Sequence, residues 1–182
     1  INMCEKFKFI ESYSKKYPYT NFCFSPEFLR EANYLEDSLN PDRIIIGGNN
    51  SETRGRVATL YEESIPGKKM FLTNPTTAEM AKYMPNTFLA TKVIFANVMY
   101  DLCEKFGINY DEVKEMTYAD HRIGKSHLDV SSQKGFGGKC FPKDLKALIE
   151  LYKKLGLDST FLETVWDENL KRRKNQDWLE IP

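Results

Sequence analysis

The sequence lacks net charge, paired cysteines, a long apolar run and any internal repeat, and each lack removes a class of function. Twenty-six Lys and Arg balance 26 Asp and Glu to a formal charge of +0, so no field of one sign exists to hold nucleic acid or an anionic membrane. Cys4, Cys23, Cys103 and Cys140 form no C-x-x-C pair and are too sparse for a disulfide scaffold, which points to a reducing, cytoplasmic setting. No basic stretch followed by an apolar one opens the chain, and no apolar run of about 18 residues occurs, so a membrane span is not expected. The chain opens on Ile1 rather than methionine, which suggests a fragment, a processed product or an engineered boundary. What is present is an ordinary globular composition, 41% hydrophobic and 29% charged over 182 residues, with room for one full-sized core or two small ones.

Residues 1–17 mix charged and aromatic side chains and suit a helix that Pro18 breaks, and Asn21 to Ser25 reads as a short buried strand. Arg43 to Ile46, closed by Gly47 and Gly48, is the best strand in the sequence. Ser51 can cap a helix over about 52–64, and Met70 to Thr73 reads as a further strand. Strand, helix, strand predicts a piece of a parallel α/β sheet. From Thr76 to Phe106 there is no glycine and apolar residues fall on nearly every face, predicting a helix roughly 45 Å long. Pro85 interrupts it and removes the bond to the Ala81 carbonyl. Such a helix must be covered on more than one side, by its own domain or by a second copy of the chain. Helices near Asp111 to Thr117, from Pro142 to near Gly156 and from Asp158 to Trp178 complete a helical second half, with a polar loop over 119–139.

Gly135-Phe136-Gly137-Gly138-Lys139-Cys140-Phe141-Pro142-Lys143-Asp144 is the most informative stretch. Its glycines let the backbone approach a ligand closely, and Pro142 suits a first helical turn. Cys140 then stands at a helix N-terminus between two lysines, where the positive end of the dipole favours an anionic sulfur. A glycine-rich turn with a small buried cysteine and an Asp144 that merely complements the dipole is the competing reading. Neither the Walker pattern nor G-x-G-x-x-G fits, because Gln133 and Cys140 occupy required glycine or hydroxyl positions. Glu27 and Glu31 are four residues apart at a strand end and would share one face of a helical turn, as base and orienter or as a solvated pair neutralised by Arg30. Lys82 and Asn86 repeat that spacing on the long helix, suiting either an oxyanion or a snorkelling lysine. His121 and His127 lack a third ligand nearby and read as surface residues, so no metal is expected.

Ser25-Pro26-Glu27-Phe28-Leu29-Arg30-Glu31, then Pro41 to Gly48, then the 76–108 helix, then His121-Arg122-Ile123-Gly124, then the cysteine element resemble, in order and spacing over about residues 22–178, the UDP-glucose/GDP-mannose dehydrogenase family. The resemblance implies a partial Rossmann-like parallel sheet followed by a long connecting helix and an all-helical dimerisation domain, with residues 1–74 the second half of an NAD-binding domain and 75–182 the central one. It implies NAD-dependent, two-step oxidation of a nucleotide sugar, UDP-glucose before GDP-mannose, to the carboxylate. Cys140 matches the nucleophile that carries a thiohemiacetal and then a thioester, and Lys82 with Asn86 matches the oxyanion donors. Asp144 matches the group that orients water, and Glu27 the base. Phe28, Leu29, Arg30, Phe136 and Gly137 match sugar-nucleotide contacts, Arg122 the arginine lent across a homodimer built on the long helix, and Glu31 and Lys143 the cofactor side. The family's first Rossmann half and its C-terminal nucleotide-binding domain have no counterpart in these residues. A non-catalytic dimerisation module is therefore the alternative.

Overall fold

The computed structural model describes residues 9–30 and 33–179. They form two compact units, one ending at Met84 and the other beginning at Pro85.

The first unit contains α1 (Phe9–Lys16), β1 (Cys23–Phe24), α2 (Tyr34–Leu39), β2 (Ile44–Gly48), α3 (Ser51–Ser64), β3 (Met70–Thr73) and the start of α4 (Pro75–Phe106). Its three strands lie in the order β1-β2-β3. β2 is buried along its whole length, because three successive β-branched isoleucines cover both faces of a central strand. β3 pairs with it in parallel, Ile44 opposite Met70 and Gly47 opposite Thr73. β1 runs antiparallel, Cys23 opposite Gly48. The expected parallel sheet is thus a mixed one: the parallel strands are those joined through α3, while β1 reaches β2 through the 25–43 connection and enters reversed. A Cβ on Gly47 would lie 2.5 Å from the Ala78 Cβ, so the glycine lets the start of α4 rest directly on the sheet. The cap of α3 is Asn50, whose Oδ1 accepts from the Thr53 amide at 2.8 Å, rather than Ser51; the amide side chain reaches the third amide from one residue earlier.

The regular elements of the second unit, among its described residues, are all helices: the rest of α4, then α5 (Tyr110–Tyr118), α6 (Cys140–Lys154), α7 (Thr160–Arg172) and a 3-10 turn at Asp177–Leu179. α4 spans 32 residues with Pro85 inside it and ends at Gly107, whose φ is +67°. Part of the core gathers Ala96 and Cys103 of α4, Tyr110 of α5 and Leu128. The Tyr110 hydroxyl donates to the Leu128 carbonyl at 2.8 Å, tying the long loop to α5. The final helix stops at Arg172, short of the expected Trp178, and Arg173 has turned to φ −67°, ψ 116°. Its side chain and those that follow fold back onto the glycine loop. Among the described residues no helix is long and apolar enough to cross a membrane.

Candidate functional site

In the first unit the 25–30 segment leaves β1 without regular structure. The helical turn on which Glu27 would have shared a face with a second carboxylate is therefore not formed over these residues, as Pro26 favours extended backbone before it. Glu31 lies outside the described residues. The Lys82 ammonium donates to the Glu27 carbonyl oxygen, and the exposed Glu27 carboxylate points its charge to solvent. Phe28 sits between two cations, the Arg43 guanidinium 4.0 Å and the Lys82 ammonium 5.1 Å from its ring centre. Such stacking holds a lysine in place without neutralising it. Arg30 grips Asp37 through side chain and backbone, its amide donating at 2.7 Å and its guanidinium at 2.5 Å. Those hydrogen bonds pull the Asp37 carboxyl down to about 2. Phe28, Leu29, Arg30, Asp37, Arg43 and Tyr61 line a pocket of about 520 Å³.

In the second unit Cys140 is the first residue of α6 and is exposed, whereas Cys103 is buried and Cys23 half-buried. The helix begins two residues before Pro142, so the sulfur sits on its first turn rather than outside it. One turn on, Asp144 is 1% exposed yet fully partnered: the Asn86 amide donates to Oδ2 at 2.5 Å, and the Lys143 ammonium donates to Oδ1. A buried carboxylate with two donors stays fixed in orientation. Asn86 thus commits one amide hydrogen to Asp144, and the Lys143 ammonium is turned to the same carboxylate.

The glycine loop departs from the sequence reading. Its amides approach the protein's own side chains: Gly135 donates to Asn97 Oδ1 at 3.0 Å, Phe136 to Asn169 Oδ1 at 2.7 Å and Gly138 to Asp177 Oδ1 at 3.1 Å. Asn169 returns a bond from Nδ2 to the Phe136 carbonyl at 3.1 Å. Phe136, 4% exposed, packs on Phe141 and Trp166, so it serves the core under the loop rather than an open ligand surface. A Cβ at Gly137 would fall 2.2 Å from an Arg173 guanidinium nitrogen. The close approach that these glycines permit is to α7 and the segment after it.

Sequence reasoning missed Asn97, Asn169, Arg173 and Asp177. A signal existed for two of them: Asn97 is a lone amide in an apolar stretch of α4, and Asn169 shares the buried face of α7 with Leu162 and Val165. Arg122 is exposed and forked onto Asp120. His121 is exposed, but His127 is part-buried, with its ring 5.5 Å from that of Phe141, because the left-handed backbone at φ +65° turns it inward. Among the described residues no group of three His, Cys, Asp or Glu could hold a metal.

NAD needs open backbone amides at a helix start for its pyrophosphate. The turn from β2 into α3 has that layout, but Asn50 caps it and a Cβ at Gly48 would lie 2.8 Å from the Cys23 sulfur. The protein's own groups fill the turn, so these residues do not make the pyrophosphate cradle.

The family model for the NAD-binding domain of the UDP-glucose/GDP-mannose dehydrogenase family matches residues 3–65, and that for its central domain matches residues 76–171. The UDP-glucose 6-dehydrogenase of Rickettsia typhi is 44% identical over 156 residues, which are 85% of this chain and 36% of that protein. TuaD of Bacillus subtilis, a UDP-glucose 6-dehydrogenase, is 36% identical over 149 residues, 82% and 32% of the two chains. The structure of a UDP-glucose dehydrogenase from Pyrobaculum islandicum superposes with a TM-score of 0.76 at 35% identity, covering 83% of this chain and 34% of that one. The chain thus spans about a third of the length of the relatives it matches. Across that third, with both domain models matched in order, the chain belongs to the UDP-glucose/GDP-mannose dehydrogenase family.

Proposed function

We propose that this chain is the middle of an NAD-dependent, cytoplasmic UDP-glucose 6-dehydrogenase, with residues 1–74 the end of its NAD-binding domain and 75–182 its central domain. The observation that carries the reading is Cys140, an exposed thiol on the first turn of α6, one turn from a buried Asp144 that two donors hold in a single orientation. UDP-glucose is favoured over GDP-mannose because the relatives at 42–44% identity are named for it.

In this mechanism the Cys140 sulfur adds to the aldehyde carbon at C6 of the sugar nucleotide, and the resulting oxygen is stabilised by the donors Lys82 and Asn86. NAD bound to the complete enzyme would take the hydride from the adduct's carbon; for the thioester that this leaves, Asp144 orients the hydrolytic water and Glu27 takes its proton. Asn86 links two of these tasks through its bond to Asp144. Phe28, Leu29, Arg30 and Gly137 contact the sugar nucleotide, and Arg122 reaches the neighbouring subunit's substrate in a homodimer. The dimer reading is supported by Met84, Phe88, Phe95, Val98 and Leu102, all exposed on α4. Their spacings are 4, 7, 3 and 4 residues, helical repeats that put them on one apolar seam.

The aldehyde tests the reading without the cofactor. UDP-glucose-6-aldehyde labelled with carbon-13 at C6, mixed with this chain, is expected to give a thiohemiacetal resonance that Cys140→Ser abolishes. No adduct, or an adduct that survives in Cys140→Ser, would refute the assignment.

A further inference from the structure

The loop between α5 and α6 carries a feature that the proposed chemistry does not use. Lys92, on α4, donates from its ammonium to two successive carbonyl oxygens, Ile123 at 3.0 Å and Gly124 at 2.9 Å. These are the residues directly after Arg122. The turn itself is closed by the Ile123 amide on the Asp120 carbonyl at 3.0 Å and by the Arg122 amide on Asp120 Oδ1 at 3.0 Å. One charged donor on two carbonyls is therefore what holds this turn to α4, and a charged donor strengthens each bond.

His127 lies on the same loop. Its ring stands against Phe141 of α6, and its buried Nδ1 has no hydrogen-bond partner. Burial pushes the imidazole below its ordinary 6.5, and the Lys92 ammonium pushes it the same way. From α6 it meets an uncharged ring. On its own loop, Lys125 lies over Tyr118 and Asp129 is taken by Lys114. Lys92 is the charge that His127 feels.

We propose that Lys92 is the positioning residue of the Arg122 turn and that protonation of His127 beside it unpins the turn, so that the seat of Arg122 depends on pH. At neutral pH the imidazole is uncharged and Lys92 keeps both carbonyls. As pH falls, an imidazolium enters a site that already holds an ammonium and has no acceptor for Nδ1, and the like charges are relieved when the turn lifts from α4. Because the imidazole's midpoint is lower folded than unfolded, the seated loop has its full stability above about pH 6.5 and loses it as pH falls below that value. Asp120, held below its ordinary range by Arg122, stays ionised over this interval, and the turn's other imidazole, the exposed His121, is kept in His127→Phe, which separates the two. The proposal rests on the proposed function only for what Arg122 does once seated.

Amide hydrogen exchange of the 182-residue chain without substrate tests it, comparing protection at pH 7.5 and 5.5 after correction for intrinsic rates. At Arg122 and Ile123 the chain is expected to lose about tenfold or more in protection at the lower pH, the worth of one bond to a charged donor. His127→Phe, which keeps a ring against Phe141, should remain protected at both values. Lys92→Met should lack the protection at both, and Lys92→Arg should restore it at pH 7.5. The His127 imidazole should also titrate higher in Lys92→Met, a change that loss of packing alone would not cause. Protection that is independent of pH in the parent chain, or that still falls with pH in His127→Phe, would overturn the proposal. Should Lys92→Met fail to fold, Lys92→Arg and His127→Phe still decide. Failure of the aldehyde reaction would leave these measurements intact.

Discussion

Asn169 closes the cysteine loop with one side chain, and its removal has a size that the structure sets. It is fully buried, accepting from the Phe136 amide at 2.7 Å and donating to the Phe136 carbonyl at 3.1 Å. Asn169→Ala strands both backbone groups in a space that Gly135 and Arg173 keep closed. Each stranded group costs about 1–3 kcal/mol, so the substitution should cost about 2–6 kcal/mol, a large part of the roughly 5–15 kcal/mol that a domain has. Asn169→Asp keeps the acceptor but turns the donor into an oxygen facing a carbonyl, and should also be destabilising. Urea unfolding followed by tryptophan fluorescence measures this directly, because both tryptophans, Trp166 and Trp178, lie in this unit and stack at 5.5 Å. Asn97→Ala, which strands the neighbouring Gly135 amide, supplies the second corner of a cycle. The two losses should be coupled, since the groups they strand belong to adjacent residues. A cost below about 0.5 kcal/mol for Asn169→Ala, the range of an ordinary surface change, would refute the reasoning.

Three further outcomes are expected. Brief iodoacetamide treatment followed by peptide mapping should modify Cys140 well before Cys23 and Cys103, since Cys103 is only 3% exposed and burial pushes the Cys23 thiol up; equal rates would count against Cys140 as the nucleophile. Phe88→Glu with Phe95→Glu, placed at positions 64% and 60% exposed, should turn a dimer seen by light scattering into a monomer with unchanged helix content; a monomer already in the parent chain would remove the self-association reading. The Asp37 carboxyl, followed by NMR, should titrate near 2 and return toward its ordinary value in Arg30→Ala. As a lowered carboxylate, it stabilises the fold above its unfolded value near 3.8 and loses that contribution as pH falls toward 2.

The elements that one-dimensional pattern controls were legible in the sequence. The triple isoleucine of β2, the glycine-free run of α4 and Gly107 at its end state their structure locally, and the structure follows them within a residue. The reversal of β1 was not legible, since a two-residue strand carries no directional signal and the connection that turns it has no repeat to read. At the cysteine element, sequence placed Cys140 and Asp144 on one helix but misread what the glycines serve. Two explanations, an approaching ligand and an approaching side chain, demand the same missing Cβ. Only the positions of Arg173 and Asn169, more than thirty residues on, separate them.

That dependence changes where the unit can be divided. α7 ends at Arg172, and a boundary drawn there would look like a clean break after a helix. The next residues are not a tail: Lys174 donates its amide to the Gln133 carbonyl at 3.1 Å, Arg173 reaches the Lys134 carbonyl at 3.4 Å and the Asp177 carboxylate at 3.1 Å, and Asp177 in turn receives Gly138. A strap of five residues is thus threaded across the base of the cysteine loop. Any recombination, truncation or domain graft that cuts between Arg172 and Trp178 would keep every α-helix and still leave the loop before Cys140 untied.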